Sequence, residues 1–173
     1  SSEKKMWAIS SSGSGFGRAV ESTLDPAPSG DILQVTVVGS TPIWLDSTGT
    51  LGYAGRTVSV GQGAQLQQAG PNESHVLVGT PEGLKAVDLE TGDVTPLADL
   101  QAQNASQPVS LGGCSWGLWT VAGTGIVAHR CGAETTTLPP FNVPADSVLV
   151  FRVNRNALIV NDLVHGLVWD VSG

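Results

Sequence analysis

Charge is scarce in this chain: only 13% of its 173 residues are Asp, Glu, Lys or Arg, and neither sign forms a run. The formal net charge of −7 is therefore spread thinly. Such a surface repels nucleic acid and anionic lipid instead of attracting them. Long apolar stretches are missing too. The closest is the uncharged segment from Leu111 to Ala128, but five glycines with Cys, Ser and Thr break it into strand-sized pieces, which excludes a membrane span. The opening Ser1-Ser2-Glu3-Lys4-Lys5 leads into a brief apolar run and reads as no signal peptide. Helical periodicity is nearly absent, which removes bundles and α/β folds from consideration.

What is present is strand punctuation. Hydrophobic residues make up 40% of the chain, too many for disorder, and its 22 Gly and 10 Pro are scattered as turn signals. A short β-branched or aromatic run, a turn with Gly and a second run recur four times. The copies are PIWLDSTGTLGYAG from Pro42, HVLVGTPEGLKAVDL from His75, SWGLWTVAGTGIVAH from Ser115 and ALIVNDLVHGLVWDV from Ala157. Aligned on Leu45, Val78, Trp119 and Val160, they are spaced by 33, 41 and 41 residues. One strand precedes each hairpin, over 32–38, 64–69, 107–111 and 147–153. A more polar strand follows the first three, over 56–60, 93–97 and 134–138.

Four strands in a period of about 40 residues is the unit of a β-propeller blade. One such sheet cannot keep both faces dry, so neighbouring sheets must cover it. The expectation is therefore an all-β fold of propeller-type repeats, each a four-stranded antiparallel sheet, with about four blades. Residues 1–22 read as the last strands of a preceding blade. Segments 31–60, 64–98 and 107–139 are three blades, and 147–173 is most of a fourth. The arrangement either closes at four or is a sector of a larger ring; the sector is the reading adopted. Open sheet edges in a sector favour self-association.

Cys114 and Cys131 flank one hairpin. With the turn centred on Ala122-Gly123, antiparallel pairing sets them opposite each other, so a cross-strand disulfide is expected, and with it an exported chain. Two free thiols are the alternative. His129 would add a metal ligand beside Cys131, but a closed set of four is lacking, so no metal is expected. No cofactor is expected either.

The chemical motifs are weak. Gly113-Cys114-Ser115-Trp116-Gly117 matches the G-x-S-x-G elbow, yet a second strand follows where that motif needs a helix. Gly13-Ser14-Gly15-Phe16-Gly17 lacks a phosphate-binding Lys and reads as a turn. His75, His129 and His165 fall at different points of their repeats. Trp44, Trp116, Trp119 and Trp169 lie in strands and suit packing between sheets. Asn72 and Asn104 begin short glycosylation sequons of little weight. The turns bearing Asp46, Glu82, Gly123 and Asp162 gather on one rim of the fan and are the candidate binding positions, since loops on a rigid scaffold carry function.

The second half of the chain resembles a known group. The residues concerned are Cys114 through Trp119 to Cys131-Gly132, Leu138-Pro139, Leu149-Val150-Phe151-Arg152-Val153-Asn154, Asn161-Asp162 and Gly166-Leu167-Val168-Trp169. They are similar to the propeller-like region of large actinobacterial surface proteins that carry C-terminal fibronectin type III or other Ig-like domains. That resemblance covers about residues 107–173. It implies an extracellular, cell-surface location, anchorage through a membrane segment elsewhere, and an interaction role without catalytic residues. Partners are then a protein or a glycan, with no nucleic acid and no membrane contact by this segment. A polysaccharide hydrolase or lyase, or a plain structural spacer, are the competing expectations.

Overall fold

The β-branched and aromatic runs do form strands, and the Gly-bearing segments between them form the turns. The computed structural model describes residues 4–9, 11–12, 15–70, 73–102, 104–155 and 157–171. Gly13, Ser14 and Asn72 lie outside the described residues. Among those described the chain is all-β, and its strand ladders are antiparallel.

Two short hairpins open the chain. Strand β1 (Lys5–Ala8) pairs with β4 (Val20–Thr23), and β2 (Ser11–Ser12) with β3 (Gly15–Phe16). The first large sheet runs in sequence order through β5 (Ile32–Val38), β6 (Thr41–Asp46), β7 (Thr50–Tyr53) and β8 (Arg56–Ser59). The second contains β9 (Gln65–Leu66), β10 (His75–Thr80), β11 (Gly83–Asp88) and β12 (Val94–Asp99). In the third, β13 (Asn104–Ala105) and β14 (Val109–Leu111) both pair with β15 (Cys114–Val121). The partner of β15, β16 (Thr124–Cys131), then pairs with β17 (Glu134–Thr137) and β18 (Phe141–Asn142). The fourth sheet has three strands, β19 (Leu149–Asn154), β20 (Ala157–Asp162) and β21 (Val168–Asp170).

The sheets shield one another in succession. Ile43, Leu45, Leu51 and Tyr53 of the first sheet form one core with Leu66, Val76, Val78 and Val87 of the second. Leu77, the residue between Val76 and Val78, points the other way and joins Leu84, Trp119 and Ala128 in a core with the third sheet. On β15 the same alternation sends Trp116 and Leu118 towards Leu149, Phe151, Leu158 and Val160 of the fourth. Period-2 geometry thus buries both faces of β10 and β15. Burying each such large side chain contributes about 1.5–3 kcal/mol. Glycine makes room where rings cross the sheets. A Cβ on Gly52 would come within 2.0 Å of the Trp44 ring, and one on Gly117 within 2.2 Å of Trp119.

The outward face of the first sheet is covered less completely among the described residues. Val35 and Val37 are exposed there. A cleft of about 800 Å³ is lined by Val35 and Trp44 of this sheet, Trp7 of β1, Val150 of the fourth sheet, and Gln68 and Gln107 from the segments beside the second and third.

Candidate functional site

Antiparallel order puts the turn between the second and third strands at the end of the sheet where the first strand begins. Four turns are placed this way: residues 47–49, 81–82, 122–123 and 163–167. They line one rim. Chain leaving each of the first three sheets is tied to that sheet's own turn. The Gly49 carbonyl accepts from the Val60 N–H at 2.9 Å, and the Glu82 carbonyl accepts from Leu100 at 2.9 Å. Gly123 accepts from Val143 at 2.9 Å. Its own turn needs a left-handed backbone at both central positions, with φ of 45° at Ala122 and 79° at Gly123. That matches the twist of a tight hairpin.

Asp46 and Asp162 serve as latches. One Asp46 oxygen accepts from the Gly30 N–H at 2.9 Å; the other accepts from the Thr48 N–H, the Thr48 hydroxyl and the Thr50 N–H at 3.0, 2.6 and 3.1 Å. Asp162 accepts from the Ser147 hydroxyl at 2.6 Å and from the Val148 and Val164 N–H groups at 3.3 and 3.0 Å, and meets His165 Nδ1 at 2.8 Å. Each carboxylate therefore joins the segment leading into its sheet to the turn that leaves the second strand. Both are buried, not solvated as turn carboxylates usually are. Burial pushes the pKa of each up, but the converging donors outweigh it. Asp46 is lowered to about 2, and Asp162 is held well below the usual carboxylate range.

Of the four positions the sequence singles out, only Glu82 offers an exposed charged side chain, with Lys85 Nζ 3.6 Å away. The Thr80 hydroxyl, more than Lys85, lowers the Glu82 pKa. Asp46 and Asp162 organise the turns from inside, and Gly123 contributes backbone. Sequence reasoning passes over the outward residues of the fourth turn. Leu163 and Val164 are exposed, and His165 Nε2 lies 3.3 Å from the exposed Asp146. Their only sequence signal is an apolar pair inside a turn.

The other motifs resolve as packing. Ser115 lies within β15 opposite Arg130, in a strand–strand hairpin with no elbow. Trp44, Trp116 and Trp119 are buried, and Trp169 packs against Phe141 with ring centroids 4.9 Å apart. His75 Nε2 pairs with Glu73 at 3.4 Å, and Asn104 lies exposed in β13. Cys114 and Cys131 face each other across the ladder and form a disulfide, with their Cα atoms 4.4 Å apart. His129 stacks on Trp116 at 4.4 Å and brings Nδ1 within 3.3 Å of Cys131 Sγ.

The fold defines an all-β protein of small antiparallel sheets packed in succession. No family model and no curated protein matches the sequence. Among solved structures it is similar to the computationally designed Ika4 protein, with a TM-score of 0.64 at 13% identity over 86% of this chain and 94% of that one. The computationally designed Ika8 protein gives a TM-score of 0.61 at 14% identity, covering 85% of this chain and 48% of that one. At such identity the likeness shows a shared fold and nothing about activity.

Proposed function

We propose that the four sheets are blades of a propeller-type sector, and that the chain is a non-catalytic interaction module of an extracytoplasmic surface protein. Protein or glycan partners meet it along the rim formed by the four turns. The observation that carries this reading is the latching of that rim. Asp46, Asp162 and the Gly49, Glu82 and Gly123 carbonyls spend their hydrogen bonds inside the protein, so the loops are held rigid while Glu82, Asp146, Leu163 and Val164 face outward. Rigid loops bind without first losing conformational entropy. The disulfide favours an oxidising compartment. The resemblance of residues 107–173 to actinobacterial surface proteins points the same way. The test is binding of the immobilised chain to panels of glycans and cell-envelope proteins. A ligand found this way should bind at least tenfold more weakly to the double variant Glu82→Ala, Leu163→Asp. Unchanged affinity would remove the rim from the interaction.

One observation favours a second reading, self-association. Val35 and Val37 project from β5 into the cleft, and on the same face Trp44 Nε1 is buried with no hydrogen-bond partner among the described residues. A face of this kind is closed when a further sheet lies on it. Sedimentation velocity decides: a dimer that Val35→Asp dissolves supports pairing through this face, and a monomer at all concentrations opposes it.

A further inference from the structure

The hairpin end opposite the rim brings three soft-metal ligands together. The Sγ atoms of Cys114 and Cys131 and a ring nitrogen of His129 all lie within 4.8 Å of one another. We propose that, once the disulfide is reduced, these three side chains bind one thiophilic divalent ion of the Zn²⁺ type, through both sulfurs and His129 Nδ1.

The geometry is close to what such an ion requires. A tetrahedral Zn²⁺ takes sulfur at about 2.3 Å and imidazole nitrogen at about 2.0 Å, which sets sulfur and nitrogen roughly 3.5 Å apart. His129 Nδ1 already stands 3.3 Å from Cys131 Sγ. The two sulfurs must separate to roughly 3.8 Å for the same ion. Rotation about χ1 in two residues that are direct cross-strand partners supplies that without moving the strands. The hairpin enforces the set. Cys131 and His129 are two apart on β16 and so project from one face, where Cys114 is the partner of Cys131 and Trp116 the partner of His129. The Trp116 ring, stacked on the imidazole, holds its plane in place. The Gly112-Gly113 and Gly132-Ala133 turns beside the cysteines are exposed, which leaves the fourth position to water or an incoming ligand. Three protein ligands with an open fourth position are the pattern of reactive zinc sites, whereas structural sites are closed.

The chemistry balances with a dithiol as reductant. Its two thiols give two electrons and two protons to the Cys114–Cys131 bond and become a disulfide. Metal binding then releases two protons from the cysteine thiols to solvent. The oxidised protein has no thiolate to offer, so metal affinity follows the redox state.

Co²⁺ is the probe, because thiolate coordination gives it a near-ultraviolet charge-transfer band. The whole chain is reduced with a dithiol, freed of reductant without air and titrated with Co²⁺. The expected result is a charge-transfer band saturating at one equivalent, no band in the oxidised chain, and displacement of Co²⁺ by Zn²⁺. His129→Ala is expected to weaken Co²⁺ binding at least tenfold, while His75→Ala leaves it unchanged. Absence of the band in the reduced chain overturns the proposal, and so does an unaltered titration in His129→Ala. Loss of the far-ultraviolet β spectrum on reduction overturns it as well, because the fold would then not hold the three ligands together.

Discussion

The indole N–H of Trp119 donates a 2.9 Å hydrogen bond to the carbonyl of Thr80, 39 residues earlier in the chain and one sheet away. Both residues are fully buried, so the contact joins the second and third sheets inside the core they share. Large apolar area and a satisfied polar tip are combined in one side chain.

Trp119→Phe keeps most of that area but removes the donor. Stability is expected to fall by about 1–3 kcal/mol, the usual cost of leaving a buried polar group unpaired. Trp119→Ala also opens a cavity and should cost about 3–5 kcal/mol. Urea denaturation of the three proteins checks the order, and equal midpoints would show that the seam contributes nothing.

Asp46 makes stability depend on acid. Its pKa is about 2 in the folded chain against an ordinary 3.8. The folded state therefore binds this proton less readily than the unfolded one. The contribution is fully present above the unfolded value and is lost as pH falls through the folded one, between about 4 and 2. Asp162 is lowered as well and adds a loss in the same direction. Asp46→Asn is expected to be less stable than wild type at neutral pH by about 1–2 kcal/mol, with the difference shrinking towards pH 2. Thermal melts across that range measure it. A difference that stays constant with pH would mean the carboxylate charge has no part in the latch.

Gly52 is required by the ring that crosses it. Gly52→Ala places a Cβ 2.0 Å from Trp44 Cζ2, so the ring or strand β7 must move. A loss of about 1–3 kcal/mol is expected from overpacking. Gly112→Ala is the comparison, because a Cβ there meets nothing within 4 Å. Its cost is backbone strain alone, from a φ of 63°. If Gly52→Ala proves the milder of the two in denaturant melts, the Trp44–Gly52 packing is wrong.

Cys114 and Cys131 close a segment with a sequence separation of 17. Opening it by Cys114→Ser, Cys131→Ser should lower stability by about 3 kcal/mol in the chain-entropy account. Most single domains tolerate such a loss and remain folded. An unchanged melting temperature would show that the hairpin is held by its ladder alone.

Much of this fold is legible in the chain because strand signals and turn chemistry agree. The turn at Ala122-Gly123 sets the register that makes Cys114 and Cys131 partners, and the pairing is observed. The run from Ile32 to Val38 is β5 end to end. Strand β13 escapes notice because two paired residues, Asn104 and Ala105, show no alternation, and β18 escapes for the same reason. The repeat alignment slips by one residue in its first copy. Leu45 faces the following sheet, whereas Val78, Trp119 and Val160 face the preceding one. Trp44 is the structural counterpart, since Asp46 and Asp162, each two residues further on, perform the same latch. A run such as Ile43-Trp44-Leu45 is buried on both sides, so apolarity alone cannot distinguish its faces. The burial of Asp46 and Asp162 is hidden for a related reason. A carboxylate in a Gly-rich turn reads as solvated until the segment that supplies its donors, Gly30 or Ser147, is seen folded against it.

Sheets that keep one another dry hold this fold together, and the Trp119 indole proton reports on this directly. Native-state hydrogen exchange should find it as slow as the amides of Leu77 and Leu118, with the same steep dependence on denaturant, because only global unfolding separates the two sheets. An indole proton that exchanges quickly, or at a rate insensitive to denaturant, would show that water enters between the second and third sheets, and the stacked architecture would fall with it.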